Sequence, residues 1–214
     1  MIKLLLVDDH ELVRTGIRRI LEDVQDFMVV GEAMTGEEAV KFCRKHNPDL
    51  VLMDMSMPGI GGMEATKQIL RFTECTRVIV LSVHKENPIP AKVMQMGAFG
   101  YLTKNSDPQE MIRAIRKVAA GQKYVSPDIA QQIAIGQLDL KDGNPFEQLS
   151  ERELEITLLL TSGAKVPDIA TSLNISAKTV NTYRYRMFDK LSVSSDVELT
   201  HLALRHKLIN LDLF

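Results

Sequence analysis

Three aspartates near the start of the chain could together bind a metal ion and accept a phosphoryl group. Asp8 and Asp9 follow one short apolar run, and Asp54 ends another. Carboxylates brought together repel one another unless a cation lies between them, and oxygen ligands with room for water suit Mg²⁺. A carboxylate beside Mg²⁺ can attack phosphorus, because the metal screens the incoming phosphoryl oxygens. Asp54 is the best placed of the three for that attack.

Two further polar residues end the next apolar runs of the chain. Ser82 offers a hydroxyl donor and Lys104 a compact cation, and such groups can hold the remaining phosphoryl oxygens. Taken singly, an acid after a strand is more often a turn or helix cap, and a lysine there is more often solvated. Their joint occurrence at four strand ends favours one phosphoryl-transfer site.

An α/β domain with a parallel sheet is predicted to position these residues. The first 120 residues alternate β-rich apolar runs with helical stretches, which is typical of a doubly wound, flavodoxin-like fold. Five strands are predicted at 3–7, 28–33, 50–54, 77–82 and 100–103, and helices at 11–22, 36–46, 62–72, 90–96 and 108–120. The first, third and fourth strands are almost wholly apolar and should be central. If the first and third are neighbours, the three carboxylates converge at the carboxyl edge of the sheet.

The rest of the chain predicts a linker and a small all-α domain. Residues 121–148 form the linker, with a short helix at 128–135 and a polar, turn-rich stretch at 138–145. From Ser150, which forms a capping box with Glu153, the pattern is helical. Further helices are predicted at 166–173, from a Ser176 cap to about 191, and from an Asp196 cap to about 206. The predicted domains are therefore 1–120 and 149–214.

The second of these domains has the pattern of a helix-turn-helix. A tight turn at 173–176 joins two short helices, an arrangement that places the second helix in the DNA major groove. Residues 176–190 contain four basic side chains and one acidic side chain, a local charge of +3. A solvated helix face is the alternative interpretation of this charge pattern.

Composition excludes several other classes of protein. The 214 residues include 26 basic and 28 acidic side chains, a net charge of -2, so a nonspecific polycation is excluded and positive charge must be local. Cys43 and Cys75 have neither disulfide-framework nor zinc-site spacing. No apolar run is long enough to span a membrane, and acidic residues come too early for a signal peptide. A cytoplasmic protein without membrane contact is expected.

The N-terminal motifs resemble the receiver domain of two-component response regulators. The matching segments are LLLVDDH, LMDMSMPGIGG, VIVLSVH and GAFGYLTK. The resemblance implies that Asp54 is the phosphoacceptor and that a sensor histidine kinase is the phosphodonor. It implies a Mg²⁺ site formed by Asp8, Asp9, Asp54 and the backbone carbonyl of Ser56. It also implies that Lys104 contacts the phosphoryl group and that Ser82 and Tyr101 form the switch.

One position departs from that family. Asn105 follows Lys104, where many receivers have proline. By the same resemblance the receiver catalyses only its own Mg²⁺-dependent phosphotransfer and a slow autodephosphorylation, so the chain is not expected to be an enzyme in the usual sense.

Residues 149–191 resemble the LuxR/FixJ-type (NarL-type) output domain, with SAKTVNTY as the most characteristic segment. The resemblance implies double-stranded DNA as a partner, with Asn181, Thr182 and Tyr185 facing bases. It assigns phosphate contacts to Lys165, Lys178, Thr179, Arg184 and Lys190. It also implies a homodimer in the active state, formed through the last helix, although the apolar residues of that helix could equally be core. The whole chain resembles the GacA/UvrY group, which implies promoters of small regulatory RNA genes as targets.

Two other functions compete with a phosphorylation-controlled transcription factor. A phosphohydrolase would use Asp54 as a turnover nucleophile, but the DMSM segment has methionine and serine where dehalogenase-type enzymes have a second aspartate. A DNA-binding protein indifferent to phosphorylation would retain the helix-turn-helix and make the acidic residues a relic. The acidic and basic features together favour the phosphorylation switch.

Overall fold

The structure, a computed structural model, describes residues 1–83, 88–138 and 144–209, without the side chains of 135–138. Most of the turn-rich stretch predicted at 138–145 lies outside the described residues. The described residues divide into two compact units, the first formed by 1–83 and 93–127 and the second by 88–92, 128–138 and 144–209.

A parallel sheet with helices between its strands forms the first unit. The strands are β1 (Ile2–Val7), β2 (Phe27–Ala33), β3 (Leu50–Asp54), β4 (Arg77–Ser82), β5 (Gly100–Thr103) and β6 (Tyr124–Val125), in the order β2-β1-β3-β4-β5-β6. The helices of this part of the chain are α1 (Glu11–Glu22), α2 (Gly36–His46), α3 (Gly61–Phe72), α4 (Ile89–Gln95) and α5 (Pro108–Ala119). The residues of α4 up to Lys92 are counted with the second unit. The doubly wound parallel sheet predicted from the sequence is therefore confirmed.

The described sheet has one strand more than the five predicted. Strand β6 has two residues and pairs with Gly100 and Tyr101 of β5. Both of its residues are half-buried and lie in the segment assigned to the linker. Two residues are too few to show the alternation that distinguishes a strand in the sequence.

Strand register brings the predicted site residues to one edge of the sheet. Val7 of β1 lies opposite Met53 of β3, so that Asp8 and Asp54 follow side by side. On the other side of β3, Asp54 lies opposite Leu81 of β4. The first and third strands are thus neighbours, which is the condition under which the three carboxylates were predicted to converge.

Burial explains why these strands are central. Every residue of β3 is buried, as are the last four residues of β1 and the last five of β4. Strand β2 is at the edge of the sheet and has mostly exposed or half-buried residues. The apolar stripe of α5 covers one face of the sheet through Met111, Ile112, Ile115 and Val118, all buried. Continuous apolar strands therefore became the interior of the sheet.

The second part of the chain is helical. It contains α6 (Pro127–Leu138), a 3₁₀ helix (Pro145–Gln148), α7 (Glu151–Thr161), α8 (Val166–Ser172), α9 (Ala177–Leu191) and α10 (Asp196–Arg205). The predicted capping box of α7 is present, because Ser150 accepts from the backbone of Glu153 and the Glu153 carboxylate accepts from that of Ser150. Ser176 caps α9 as predicted.

The N-cap predicted for the last helix was wrong by one residue. Ser195, rather than Asp196, is the N-cap of α10, and its side chain accepts a hydrogen bond from the backbone N–H of Glu198. Asp196 is instead the first helical residue, and its carboxylate pairs with Arg184. The carboxylate of Asp196 therefore forms a tertiary ion pair with Arg184 and does not cap α10.

Within the described residues, no helix has the length and apolar character that crossing a lipid bilayer requires.

Candidate functional site

Four side chains converge at the carboxyl edge of the sheet and define the acidic pocket: Asp8, Asp9, His10 and Asp54. Their potential ligand atoms all lie within 4.8 Å of one another. Asp8 is 2% exposed and Asp54 is fully buried. Carboxylates held this close in a buried site repel strongly unless cations compensate them.

Lys104 is the cation that the fold itself supplies to this pocket. Its Nζ lies 2.8 Å from Asp8 Oδ2 and 2.8 Å from Asp54 Oδ2. Burial opposes the charge of Lys104, but the two carboxylates prevail and raise its pKa. Lys104 is therefore charged, and its ammonium pairs with two of the three carboxylates of the pocket.

Burial shifts the pKa of Asp54. Burial raises the pKa of Asp54 to about 6, although its contact with Lys104 acts in the opposite direction. The carboxylate is ionised above that pH and has lost its hydration. An unhydrated carboxylate with only partial compensation is well suited to bind a cation or to attack an electrophile.

Backbone groups orient the carboxylates and leave lone pairs free toward the pocket. The backbone N–H of His10 donates to Asp8 Oδ1 at 2.8 Å, and that of Ser56 donates to Asp54 Oδ1 at 3.2 Å. Of the described residues, Asp9 Oδ1 and Asp54 Oδ2 are buried atoms without a hydrogen-bond partner, although Lys104 forms an ion pair with the latter. These oxygens, with their unsatisfied capacity, fit a hard divalent cation such as Mg²⁺.

A close approach between β3 and α3 shapes the loop after Asp54. A Cβ atom at Gly62 would lie 1.8 Å from the backbone oxygen of Asp54. Without a side chain there, the backbone N–H of Gly62 donates to the carbonyl of Met55 at 3.1 Å. The segment that contains Ser56 is therefore held against the end of β3.

The predicted switch residues lie on β4 and β5: Ser82 ends β4, and Tyr101 is the second residue of β5. Ser82 is 1% exposed, and its backbone carbonyl accepts from the N–H of Lys104 at 2.9 Å. Tyr101 is fully buried, so its ring lies inside the unit in this structure. The fold thus places Ser82 and Lys104 side by side at the edge where Asp54 ends β3.

Sequence reasoning missed Arg14, which fixes the end of β1. Its guanidinium donates to the backbone carbonyl of Asp8 at 2.8 Å and to Glu32 at 2.7 Å. Arg14 is only 9% exposed. An arginine in an amphipathic helix is normally read as surface, and no sequence signal marks this one as buried.

In the second unit, the predicted DNA-binding residues lie on and around α9. The turn before α9 uses Asn174 in the left-handed region, with φ of 50°, and Ser176 Oγ accepts from the backbone N–H of Thr179 at 3.0 Å. Most of the predicted contact residues are exposed, namely Lys165, Lys178, Thr182, Tyr185 and Lys190, while Thr179, Asn181 and Arg184 are half-buried.

Two of the predicted phosphate-binding cations are already paired within the unit. Arg184 forms a two-pronged ion pair with Asp196, with distances of 2.7 and 2.6 Å. Lys190 Nζ lies 2.6 Å from the carboxylate of Glu153. Both acids lie outside 176–190, so the charge count from the sequence overstates the free positive charge of α9.

The partner of Lys190 is itself a buried acid. Glu153 is 3% exposed. Burial raises the pKa of Glu153, but Lys190 and hydrogen bonds from Ser150 together hold it below the usual value. The charged form of Glu153 is therefore favoured by the fold, which makes the pair part of the structure of the unit.

Known families match both parts of the chain. Residues 4–116 match the response regulator receiver domain, and residues 147–203 match the luxR family of bacterial regulatory proteins. Over 211 residues the chain is 62% identical to "Response regulator UvrY" of Escherichia coli (strain K12), covering 98% of this chain and 97% of that protein. The chain belongs to the response regulator family.

Other relatives agree with this membership. "Response regulator GacA" of Pseudomonas aeruginosa is 52% identical over 211 residues, with coverage of 98% and 99%. RcsB from Salmonella enterica serovar Typhimurium, solved bound to the promoter rprA with the phosphomimetic BeF₃⁻, is 27% identical with a TM-score of 0.70, covering 94% of this chain and 98% of that one. Another structure holds two RcsB dimers on two parallel DNAs. This response regulator is thus a transcription regulator with a receiver and a LuxR-type DNA-binding domain, and its family is not one of typical enzymes.

Proposed function

We propose that this response regulator is switched by phosphorylation of Asp54 in a Mg²⁺-dependent reaction, and that the phosphorylated form binds promoter DNA. The observation that carries the proposal is the charge balance of the acidic pocket. Three carboxylates, those of Asp8, Asp9 and Asp54, lie together. One lysine, Lys104, pairs with Asp8 and Asp54, and among the described residues Asp9 Oδ1 has no hydrogen-bond donor. Asp54 ends β3 at the centre of this group.

The carboxylate of Asp54 is the nucleophile. One of its oxygens attacks the phosphorus of a phosphohistidine on a sensor histidine kinase, so that a P–O bond forms and the P–N bond breaks. The imidazole of the kinase leaves. Asp8, Asp9, Asp54 and the backbone carbonyl of Ser56 would hold Mg²⁺, which when bound supplies positive charge to the phosphoryl oxygens.

Lys104 and Ser82 act on the phosphoryl group once it is attached. The ammonium of Lys104, 2.8 Å from Asp54 in the unphosphorylated pocket, exchanges the carboxylate for a phosphoryl oxygen. The hydroxyl of Ser82 donates to another phosphoryl oxygen, and Tyr101 of the neighbouring strand packs behind it. This rearrangement is the switch that changes the surface of β4 and β5.

The output is a homodimer that binds double-stranded DNA through α9 in the major groove. The receiver would comprise residues 1–120, the linker 121–148 and the DNA-binding domain 149–214. Asn181, Thr182 and Tyr185 would face bases. Phosphate contacts would come from Lys165, Lys178, Thr179, Arg184 and Lys190. Helix α10 would contribute to the dimer interface. The protein would act in the cytoplasm, and its targets would be promoters of small regulatory RNA genes.

Acetyl phosphate with Mg²⁺ tests the phosphorylation step. We expect intact-protein mass spectrometry to show the addition of one phosphoryl group to the wild type. Asp54→Asn should show none, and Asp23→Asn, which changes an exposed aspartate at the end of α1, should be labelled like the wild type. Equal labelling of Asp54→Asn would refute the proposal.

Salt dependence tests the DNA surface. The logarithm of affinity should fall with the logarithm of salt concentration, with a slope of about -0.9 per phosphate contact. Lys178→Ala should reduce the slope by about one contact per protomer. Lys45→Ala, on the exposed side of α2, is the matched control and should leave the slope unchanged. A slope that Lys178→Ala does not change would remove Lys178 from the interface.

A further inference from the structure

A histidine reaches into the acidic pocket beside the carboxylates. His10 Nδ1 lies 2.9 Å from Asp9 Oδ1 and 3.5 Å from Asp8 Oδ1. Asp9 Oδ1 is nevertheless buried without a hydrogen-bond partner among the described residues. The 2.9 Å approach therefore lacks hydrogen-bond geometry, and two potential ligand atoms face each other with their binding capacity unused.

The spacing of these atoms suits one metal ion. In six-coordinate sites with bonds near 2.1 Å, adjacent ligand atoms lie about 3 Å apart. The distances from His10 Nδ1 to the two aspartate oxygens bracket that separation. Asp8, Asp9 and His10 follow one another in the chain, so the end of a single strand can present one face of a coordination shell.

We propose that His10 is a nitrogen ligand of the pocket, which lets it bind borderline divalent cations such as Co²⁺, Ni²⁺ or Zn²⁺ in preference to Mg²⁺. Imidazole nitrogen suits these ions, whereas Mg²⁺ prefers oxygen ligands. Carboxylates alone discriminate less, because both classes of ion accept oxygen. The inference deepens the proposed function, since it concerns the same pocket and rests on its binding a divalent cation.

The exposure and position of His10 allow its side chain to be replaced without destabilising the fold. Its side chain is 65% exposed. It precedes α1 but makes no side-chain capping hydrogen bond. His10→Ala therefore removes the imidazole and little else, and the backbone N–H of residue 10 remains to orient Asp8.

Co²⁺ is the probe of choice, because it is paramagnetic and accepts nitrogen and oxygen ligands. With the full chain, isothermal titration should show that His10→Ala weakens Co²⁺ binding by about tenfold or more. Mg²⁺ binding should change by less than about twofold. In the Co²⁺-loaded wild type, proton NMR in H₂O should show a strongly shifted exchangeable resonance from the coordinated imidazole, absent in D₂O and absent in His10→Ala. Excess Mg²⁺ should displace the Co²⁺.

Two controls separate the pocket from adventitious binding. His201→Ala removes another exposed histidine, on α10, and should leave both Co²⁺ affinity and the shifted resonance unchanged. Asp54→Asn should weaken Co²⁺ and Mg²⁺ together. Loss of the resonance in His201→Ala, or undiminished Co²⁺ binding in Asp54→Asn, would overturn the proposal.

Failure of this inference is distinguishable from failure of the proposed function. If His10→Ala and the wild type bind Co²⁺ equally, the histidine is not a ligand, whereas labelling by acetyl phosphate in Mg²⁺ still reports on Asp54. If neither ion binds the wild type and no label appears, the proposed function fails as well. Lost preference for Co²⁺ in His10→Ala, beside normal labelling of the wild type in Mg²⁺, is the expected result.

Discussion

The acidic pocket and helix α9 both concentrate charge of one sign, but they balance it differently. In the pocket, three carboxylates lie together, and Lys104 pairs with the two buried ones, Asp8 and Asp54. On α9, Arg184 and Lys190 are paired with acids of neighbouring helices, while Lys178 is exposed. Buried charge without water must find an ion, whereas exposed charge is solvated until a polyanion displaces its counterions. The pocket therefore depends on tertiary geometry more strictly than the helix surface does.

Among the variants that test the acidic pocket, Gly62→Ala should reduce stability the most. The new Cβ would meet the backbone oxygen of Asp54 at 1.8 Å, so α3 or β3 must move, at a cost of about 3 kcal/mol or more. The matched control is Gly16→Ala, where nothing lies within 4 Å of the new atom; it should stabilise α1 by up to about 1 kcal/mol.

Amide hydrogen exchange of peptides from β3 would measure both glycine variants. Faster exchange in Gly62→Ala and equal or slower exchange in α1 peptides of Gly16→Ala are expected. Unchanged protection of β3 in Gly62→Ala would show that the loop after Asp54 is not as tightly constrained as the structure indicates.

Two buried acids should show opposite dependence of stability on pH. The pKa of Asp54 is raised to about 6 from 3.8, chiefly by burial, so its ionisation destabilises the fold as pH rises through that interval. Asp54→Asn should therefore stabilise β3 in chelator at pH 7 by roughly 1 to 3 kcal/mol, with the gain vanishing near pH 4. Lys104 keeps its partner Asp8 in this variant.

Glu153 provides the contrast. Burial tends to raise its pKa, but Lys190 and Ser150 lower it below 4.5, so its charge stabilises α7 above that pH and the contribution is lost on acidification. Glu153→Gln should cost about 1 kcal/mol at pH 7 and little near pH 3. Hydrogen exchange of α7 and β3 across pH would measure the pair, and equal pH trends in both would contradict the comparison.

Paired and unpaired lysines of α9 should also behave differently. Lys190→Ala leaves the buried Glu153 without its cation. It should lower the free energy of unfolding by up to about 1 kcal/mol, a modest amount because the ammonium is partly solvated. It should also lower DNA affinity. Lys178→Ala should reduce affinity alone. Thermal unfolding and DNA titration of both variants would measure this, and equal stability of the two would show that the pair with Glu153 contributes nothing.

The smallest expected effect concerns Arg184. Asp196→Asn removes the carboxylate that holds its guanidinium, which frees positive charge for a phosphate and should raise DNA affinity by a few-fold at low salt. The cap of α10 is preserved, because Ser195 supplies it. Fluorescence anisotropy with labelled operator DNA would measure the change. A lower affinity would mean that the ion pair serves to orient α9.

Local patterns were enough to predict most of the secondary structure. Strands β3, β4 and β5 and helices α1 and α2 have the predicted bounds, because their apolar periodicity and flanking turn residues agree. The two-residue β6 and the N-cap of α10 were not predicted correctly, since the first has no periodicity and the second depended on where the Asp196 carboxylate finds a partner.

The sequence by itself determined that an α/β domain with acids at its strand ends precedes a helix-turn-helix, because residue type and periodicity set strands, helices and caps locally. Only the tertiary structure decided which charges are available. Three sets of contacts show this: Arg14 pairs with Glu32, Lys104 pairs with two acids, and Arg184 and Lys190 each pair with an acid of another helix. The partners are 12 to 96 positions apart in the chain. Electrostatic energy depends on separation and burial in space, which neighbouring positions in a sequence do not encode.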